Sequence, residues 1–479
     1  MMRRSEQRDQ LATQHFDLAV VGGGISGVAV ALEAARRGQR VALVERDDFG
    51  QHCSFNSLRI LHGGLRYLQS LDLPRFFESV RERRWFMQNF PECCQPLECL
   101  MPLYGHGLKR PAILRAAVAL NDTLSWRRNA ELPEAQHIPR GKVLSASATR
   151  AQCQHVPPQG LRGAVRWHDG QMTNPSRLLI EMLHWATHAG ATCLNYAQAT
   201  EVQLQDGRVV GLKVTDSHTH DSLTIKTDRI INCAGQWAAR ALHQADAPDP
   251  PSELEQPALA FNLLLDLPAI SHAAVALSPG RGQGRMYFLT PWHNRLMVGT
   301  FHRPWTQGST ASPQPTAADI ALFLEELNTS TPGLNATTDH VLRVWSGLIP
   351  ARHPGPEGDG ETAHRATVID HAPLGAKGLW TLQAVKYTTA MAEARRVLRR
   401  ACEGRLPTLL ENKQRPTPHE GPWDTAPTDT VQLTDAVQRL HAEEAVLHLD
   451  DLLLRRTDWG VVPADARALA PAVLTALGW

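Results

Sequence analysis

Residues 17–45 read DLAVVGGGISGVAVALEAARRGQRVALVE. Asp17–Val21 is a short, apolar, β-branched run of the kind that forms a buried strand. Gly22, Gly24 and Gly27 follow as G-x-G-x-x-G. From Ile25 to Arg37 apolar residues recur at helical spacing. Arg36 and Arg37 fall in the last turn, where cations meet the negative end of the helix dipole, and Gly38 lies just past it. Val41–Val44 is a second strand, which Glu45 closes 23 residues after Gly22. Strand, glycine turn, helix, strand and acid are the parts of a dinucleotide site. Gly22 permits the tight turn, Gly24 lets a pyrophosphate approach the backbone, and Gly27 lets the helix sit close on the sheet. Ile25 and Ser26 open the helix, so their free N–H groups and its partial positive charge face the phosphates. Glu45 can accept hydrogen bonds from a ribose diol. The pattern says dinucleotide and leaves FAD and nicotinamide cofactors both open.

A chain of 479 residues exceeds one hydrophobic core, so two or three domains are expected. Its 43% apolar and 20% charged content is that of a soluble globular protein, and a net charge of +1 gives no reason to expect nucleic acid. The eight cysteines form no C-x-x-C pair, which argues against a zinc ribbon or a redox dithiol, and no metal site is expected. Free thiols at Cys53 and Cys233, in or beside the cofactor stretches, fit a reducing cytosol. There is no uninterrupted apolar run of about 18 residues to span a membrane. Arg3 and Arg4 precede polar sequence rather than an apolar export core, so residues 1–15 read as a loose arm and the protein as cytoplasmic.

Past Glu45 and Arg46, residues 46–69 read RDDFGQHCSFNSLRILHGGLRYLQ. Ser54, Asn56 and Ser57 offer hydrogen bonds to a cofactor. Gly63 and Gly64, between His62 and Arg66, let backbone approach something flat or bulky. The fingerprint followed by S-L-R-I-L-H-G-G-L-R-Y-L resembles the FAD-dependent glycerol-3-phosphate dehydrogenases of the D-amino-acid-oxidase-like superfamily, with Arg59 where that family has lysine. The resemblance implies an α/β fold: a Rossmann-like FAD-binding domain, an antiparallel-sheet substrate domain and a short helical C-terminal tail domain.

The rest of the chain is read on that frame. Residues 16–244 form the first part of the FAD-binding domain, with a helical excursion over 74–160. In it, Pro74–Phe90 is an amphipathic helix with a basic face of Arg75, Arg81, Arg83 and Arg84, a solvated face or a contact for anionic lipid. Asp169-Gly170 reads as a turn, and Asn174 caps a helix over Pro175–Ala189. Ala199–Leu204, Gly207–Thr215 and Leu223–Lys226 read as a β-meander, in which Val202 is a cofactor contact. Arg229–Trp237 is a strand returning to the FAD sheet and ending at Ala234-Gly235; two sheet returns around one site fit FAD better than a nicotinamide. Residues 245–364 form the substrate domain, with strands over Ala258–Leu265, Arg285–Thr290, Arg295–Phe301 and Val341–Leu348. Residues 365–404 return to the FAD-binding domain, where Lys386, Tyr387, Thr388 and Thr389 open a helix through Arg400. Its N-terminus is expected at the flavin pyrimidine edge, where negative charge develops on reduction. Residues 405–430 are a linker. In the helical C-terminal domain, 431–479, Leu433–Arg456 is one amphipathic helix.

Flavin oxidation of a secondary alcohol needs a hydride path to flavin N5, a base for the hydroxyl proton, and cations for an anionic handle. The resemblance puts Arg66, Tyr67, Arg365 and Lys386 in the substrate pocket, with His62 as a candidate base and a cofactor contact together with Gly63 and Gly64. Three positions depart from the family. Its S-G-V-R-P arginine falls on Ile349, with Arg352 three residues on as a substitute. Its K-G-x-H segment falls within Ala258–Asn262, which has neither lysine nor histidine, leaving His62 and His353 as candidate bases. Ala384-Val385 replaces its glycine pair. The expected activity is oxidation of glycerol 3-phosphate to dihydroxyacetone phosphate, with electrons passed to a quinone by a protein peripheral to the cytoplasmic face of the inner membrane. A relative acting on another 2-hydroxy acid or an amine is the alternative, and a non-catalytic flavin-binding protein the second. Self-association as a homodimer stays open.

Overall fold

The computed structural model describes residues 4–105, 110–239, 241, 257–279, 285–305, 313–351, 363 and 365–479. Arg352 and His353 lie outside the described residues.

Three layers stand around the fingerprint. The middle layer is a six-stranded sheet in the order Thr367–Asp370, Leu379–Gln383, Ile230–Asn232, Leu18–Val21, Val41–Val44, Ala191–Leu194, parallel except at its first strand. Successive residues of its strands face opposite ways. Leu18, Val20, Val41 and Leu43 join a core with helices Ile25–Ala35, Pro175–His188 and Ala390–Ala401. Ala19, Ala42 and Val44 join a second core beneath a four-stranded sheet of His15–Phe16, Ser222–Thr227, Arg208–Asp216 and Ala197–Gln205. Such strands, covered on both faces, need the unbroken apolar runs that the sequence shows.

A separate nine-stranded sheet carries Pro257–Leu265, Tyr287–Trp292, Arg295–Pro304 and Val341–Pro350. It also takes strands from earlier in the chain, Ile60–Leu61, Cys94–Leu103 and Gly163–Met172. The excursion over 74–160 is therefore not purely helical. Asp169-Gly170 is no turn but the middle of a ten-residue strand, opposite Leu97 and Pro96. A Cβ on Gly170 would stand 3.1 Å from Leu61 Cβ, so the glycine serves close packing rather than chain reversal.

Other segments also differ from the expectations. Residues 4–13 are a helix, not a loose arm; Leu11 and Gln7 are buried, and Arg4 and Arg8 bind Asp216 and Asp221 at 2.6 and 2.5 Å. Long-range ion pairs hold it where its mostly polar sequence promised nothing. The helix expected from Lys386 begins only at Ala390, since residues 384–389 run irregularly, with Ala384–Tyr387 along the cavity described below and Thr388 and Thr389 outside its lining. Leu433–Arg456 is two pieces, an α-helix over Thr430–Glu443 and a π-helical turn over Asp451–Arg456, parted at Ala445, whose φ is +52°.

The C-terminal piece has its own small core around Val437, Leu440, Leu453 and Trp459. It is held to the rest by buried charge. Asp48 receives Arg455 at 2.6 Å and Arg456 at 2.7 Å, Glu444 receives Arg177 at 2.9 Å, and Asp458 receives Arg59 at 2.7 Å.

Candidate active site

The glycine turn owes its shape to two close approaches. Gly22 has φ +104°, and a Cβ there would lie 2.8 Å from Cys233 O; on Gly27 it would lie 1.8 Å from Gly22 O. Gly24 occupies the N-cap of the helix without a capping side chain, and Ile25 N donates to Ser54 Oγ at 2.9 Å. Glu45 is buried and accepts from Gly23 N at 2.6 Å and Asp47 N at 2.9 Å. It thus ties the turn to the strand end, and each oxygen keeps a second acceptor position.

A cavity of about 470 Å³ runs along this turn. Ala197, Gln198 and Ala199 of the small sheet line it, as do Gly22, Gly24, Ile25, Ser26, Glu45, Arg46, Ser54 and Ser57. Ala234, Gly235 and Ala384–Tyr387 complete one wall. The nine-stranded sheet supplies the other through Ala260, Asn262, Thr300, His302 and Gly347–Pro350. A long cleft with bare glycine backbone at a helix N-terminus and one buried carboxylate fits a dinucleotide. Val202 does not line it; its side chain packs in the core between the two smaller sheets, and a bulge hands the cavity edge to Gln198 and Ala199. Glu45, Asp47 and His52 lie close enough to share an ion, but His52 Nε2 pairs with Asp47 at 2.8 Å and its ring lies on Trp237.

His62, Gly63 and Gly64 stand beside this cleft and not among its lining residues. The two glycines admit protein groups. A Cβ on Gly63 would strike the Arg83 guanidinium at 2.0 Å, and Gly64, at φ +84°, turns the chain into the helix Leu65–Gln69 past Ser79. Arg83 accordingly points inward, buried against Asp169 at 3.0 Å, and does not belong to an exposed basic face. His62 N donates to Thr388 Oγ1 at 3.1 Å, which binds the motif to the segment carrying Lys386. Thr389 Oγ1 donates to Glu393 at 2.7 Å, whose carboxyl burial pushes up to about 7.

Three cations surround the buried ring of Tyr67: Lys386 Nζ at 4.3 Å, Arg75 at 4.8 Å and Arg66 at 5.2 Å from its centroid. The Tyr67 hydroxyl is buried and has no hydrogen-bond partner among the described residues. Burial, then the charge of Arg66, depresses the Lys386 ammonium to about 7. Arg365 lies outside this ring of cations, largely exposed and 3.4 Å from Asp72, which also binds Arg75 at 2.6 Å. The arrangement can hold an anion: like charges and an unmet hydroxyl gain most from a ligand that accepts from all of them.

The sequence reading missed Gln198, Asn262, Thr300 and His302. A signal existed for the last two. Phe301 is buried in the core, so its strand neighbours Thr300 and His302 must face the other way. Ala260 stands opposite both His302 and Gly347, and Ile349 lies opposite Ala258 on the same wall.

The family model described as FAD dependent oxidoreductase matches residues 17–397. An aerobic glycerol-3-phosphate dehydrogenase of Staphylococcus aureus (strain USA300) is 27% identical over 387 residues, 81% of this chain and 67% of that protein. The fold matches the glycerol-3-phosphate dehydrogenase of Bacillus halodurans complexed with FAD, with TM-score 0.65, 21% identity, and 99% and 84% of the two chains covered. It also matches the L-alpha-glycerophosphate oxidase of Mycoplasma pneumoniae with FAD bound, with TM-score 0.57, 16% identity, and 84% and 98% covered.

Proposed function

The chain belongs to the FAD dependent oxidoreductase (DAO) family, and we propose that it oxidises a small anionic secondary alcohol, glycerol 3-phosphate, to dihydroxyacetone phosphate. FAD, when bound, supplies the hydride acceptor at flavin N5. Gly22, Gly24, Ile25, Ser26, Glu45, Ala234 and Gly235 would hold it, and Lys386 would lie toward its redox end. The observation that carries the reading is the ring of Lys386, Arg75 and Arg66 around Tyr67, with its unmet buried hydroxyl. Those groups grip the phosphate, and Arg365, through Asp72, steadies Arg75. His62, beside that ring in sequence and bonded to Thr388, takes the hydroxyl proton.

Ile349 in the cavity wall favours a second reading. A cation there would add a grip on phosphate; an aliphatic side chain suits a smaller 2-hydroxy acid or an amine. One measurement separates them. The purified protein should be yellow, and anaerobic glycerol 3-phosphate should bleach its band near about 450 nm. Bleaching by lactate, glycine or proline instead would overturn the first reading in favour of the second, and no bleaching by any donor would leave only flavin binding.

The electron acceptor in this proposal is a quinone, reached at the cytoplasmic face of the inner membrane. Among the described residues no helix is long and apolar enough to cross a membrane, so attachment would be peripheral. Support comes from the exposed Leu71, Phe77 and Trp126, which share their stretch of chain with the exposed Arg81. Flotation with anionic but not neutral vesicles, weakened by salt, is the expected result.

A further inference from the structure

Asp169 is buried in mid-strand, yet four groups from three elements converge on its carboxylate. Gly63 N donates to Oδ1 at 2.6 Å, Arg83 Nη1 donates to Oδ1 at 3.0 Å, Trp167 Nε1 lies 3.4 Å from Oδ2, and His62 Nδ1 lies 3.3 Å from Oδ2. Burial pushes the carboxyl up, but the His62 hydrogen bond, the charge of Arg83 and the Gly63 N–H outweigh it and hold Asp169 below the usual carboxylate range. Its partner is different in kind. The His62 side chain is about half exposed (47%), with Phe288 5.8 Å from its ring. Among the described residues only its Nδ1 edge is tied down. A group that is anchored on one edge and open on the other is placed to meet a ligand.

We infer that Asp169 is a positioning residue for His62: it holds the Nδ1–H tautomer and aims the Nε2 lone pair at the substrate hydroxyl. The inference rests on the reading of His62 as the proton acceptor. In that step the substrate O–H bond breaks and its proton moves to Nε2. The O–H electron pair becomes the second carbonyl bond, and the carbinol hydrogen leaves with its own pair to the bound cofactor. Asp169 stays ionised throughout and faces an imidazolium afterwards, so it favours the charge that develops. Arg83 keeps the carboxylate from taking the proton itself. Its second bond, to His168 O at 3.0 Å, fixes the guanidinium, and Gly63 is the residue whose lack of a side chain leaves room for it. The first glycine of H-G-G is thereby explained by a carboxylate 106 residues away in sequence.

The test is a double-mutant cycle on the FAD-loaded protein, followed by stopped-flow flavin reduction with glycerol 3-phosphate. Asp169→Asn should slow the limiting rate about 10²-fold while the apparent substrate Kd changes by less than about threefold. In a His62→Gln background the same substitution should change the rate by less than about twofold. A second readout needs no turnover. In ¹⁵N-histidine spectra of the oxidised protein, the resonance absent from His62→Gln should report Nδ1–H in the parent and a tautomer mixture in Asp169→Asn. If Asp169→Asn loses Arg83 and fails to fold, Asp169→Glu keeps the charge and carries the cycle. Equal losses in both backgrounds, a loss confined to Kd, or an unchanged tautomer would overturn the inference. A fully active His62→Gln would overturn it too, while leaving the substrate assignment standing. If glycerol 3-phosphate is inert and another donor bleaches the flavin, the substrate reading has failed and the cycle run with that donor still decides for or against Asp169.

Discussion

At Lys386 two environments compete. Burial and Arg66 disfavour the charged amine and bring it to about 7, while the anion expected there would favour it. The sign of the resulting pH dependence is fixed. In the free site the amine loses its proton above about pH 7, whereas the unfolded chain keeps it to about 10.4. The unfolded state binds more protons in that window, so this group's contribution makes the fold more stable as pH rises through it. Ligand binding runs the other way. A bound dianion restores the proton, so the Kd for glycerol 3-phosphate should weaken above pH 7 by up to about tenfold per unit. Lys386→Met should bind more weakly below pH 7 and flatten that slope, as titration calorimetry across pH 6–9 would register. A slope that survives the substitution removes Lys386 from the anion site.

Among the elements, the helix Leu73–Asn89 shows how a local signal and a remote one share a residue. Asp72 caps it by accepting from Arg75 N at 3.2 Å, and the same carboxylate holds Arg75 over Tyr67 and receives Arg365. Asp72→Ala should destabilise the fold modestly through the lost cap alone, seen as a lower thermal midpoint with FAD retained. It should also weaken anion binding, because Arg75 loses its tether; anion affinity equal to the parent's would show that Arg75 needs none. Caps and periodicity are what a sequence displays, which is why the fingerprint helix and the helix capped by Asn174 were legible. The strand through Gly170 was not: D-G carries the composition of a turn, and what favours a glycine there is the tight approach of Leu61 from another strand. The same limit applied to the basic face. Arg75, Arg81, Arg83 and Arg84 look alike in sequence, and the buried carboxylate that singles out Arg83 lies in a distant strand. In the site, the glycine turn and Glu45 announced the nucleotide, but Gln198 and Asn262 required knowing which strands meet.

Across the whole molecule, the tail is fastened by buried ions beside a small shared apolar cluster, in which Val461, Val462 and Leu454 meet Phe55, Trp292 and Trp345. Asp48 is fully buried, is held well below the usual carboxylate range by Arg456 and Arg455 against its desolvation, and also accepts from Asn195 Nδ2 at 2.9 Å. Breaking such a pair strands a charge, so Arg456→Met should cost about 3–5 kcal/mol. The loss should appear as a lower denaturant midpoint and faster FAD release, because Asp48 follows Glu45 by three residues and Gly50 N bonds back to Gly23 O at 3.0 Å. Unchanged FAD release would separate the tail from the nucleotide seat. The composition of residues 431–479 promised a helical appendage; that it clasps the first βαβ unit follows only from charges 407 and 408 positions apart. That span sets an order of events. A ribosome has delivered the glycine turn, its helix and Glu45 hundreds of residues before Arg455 and Arg456 emerge, and until then Asp48 stays hydrated and its loop untethered. A chain cut short before Arg455 should therefore still carry the glycine turn, its helix and Glu45, yet shed its colour on dialysis where the longer chain keeps it.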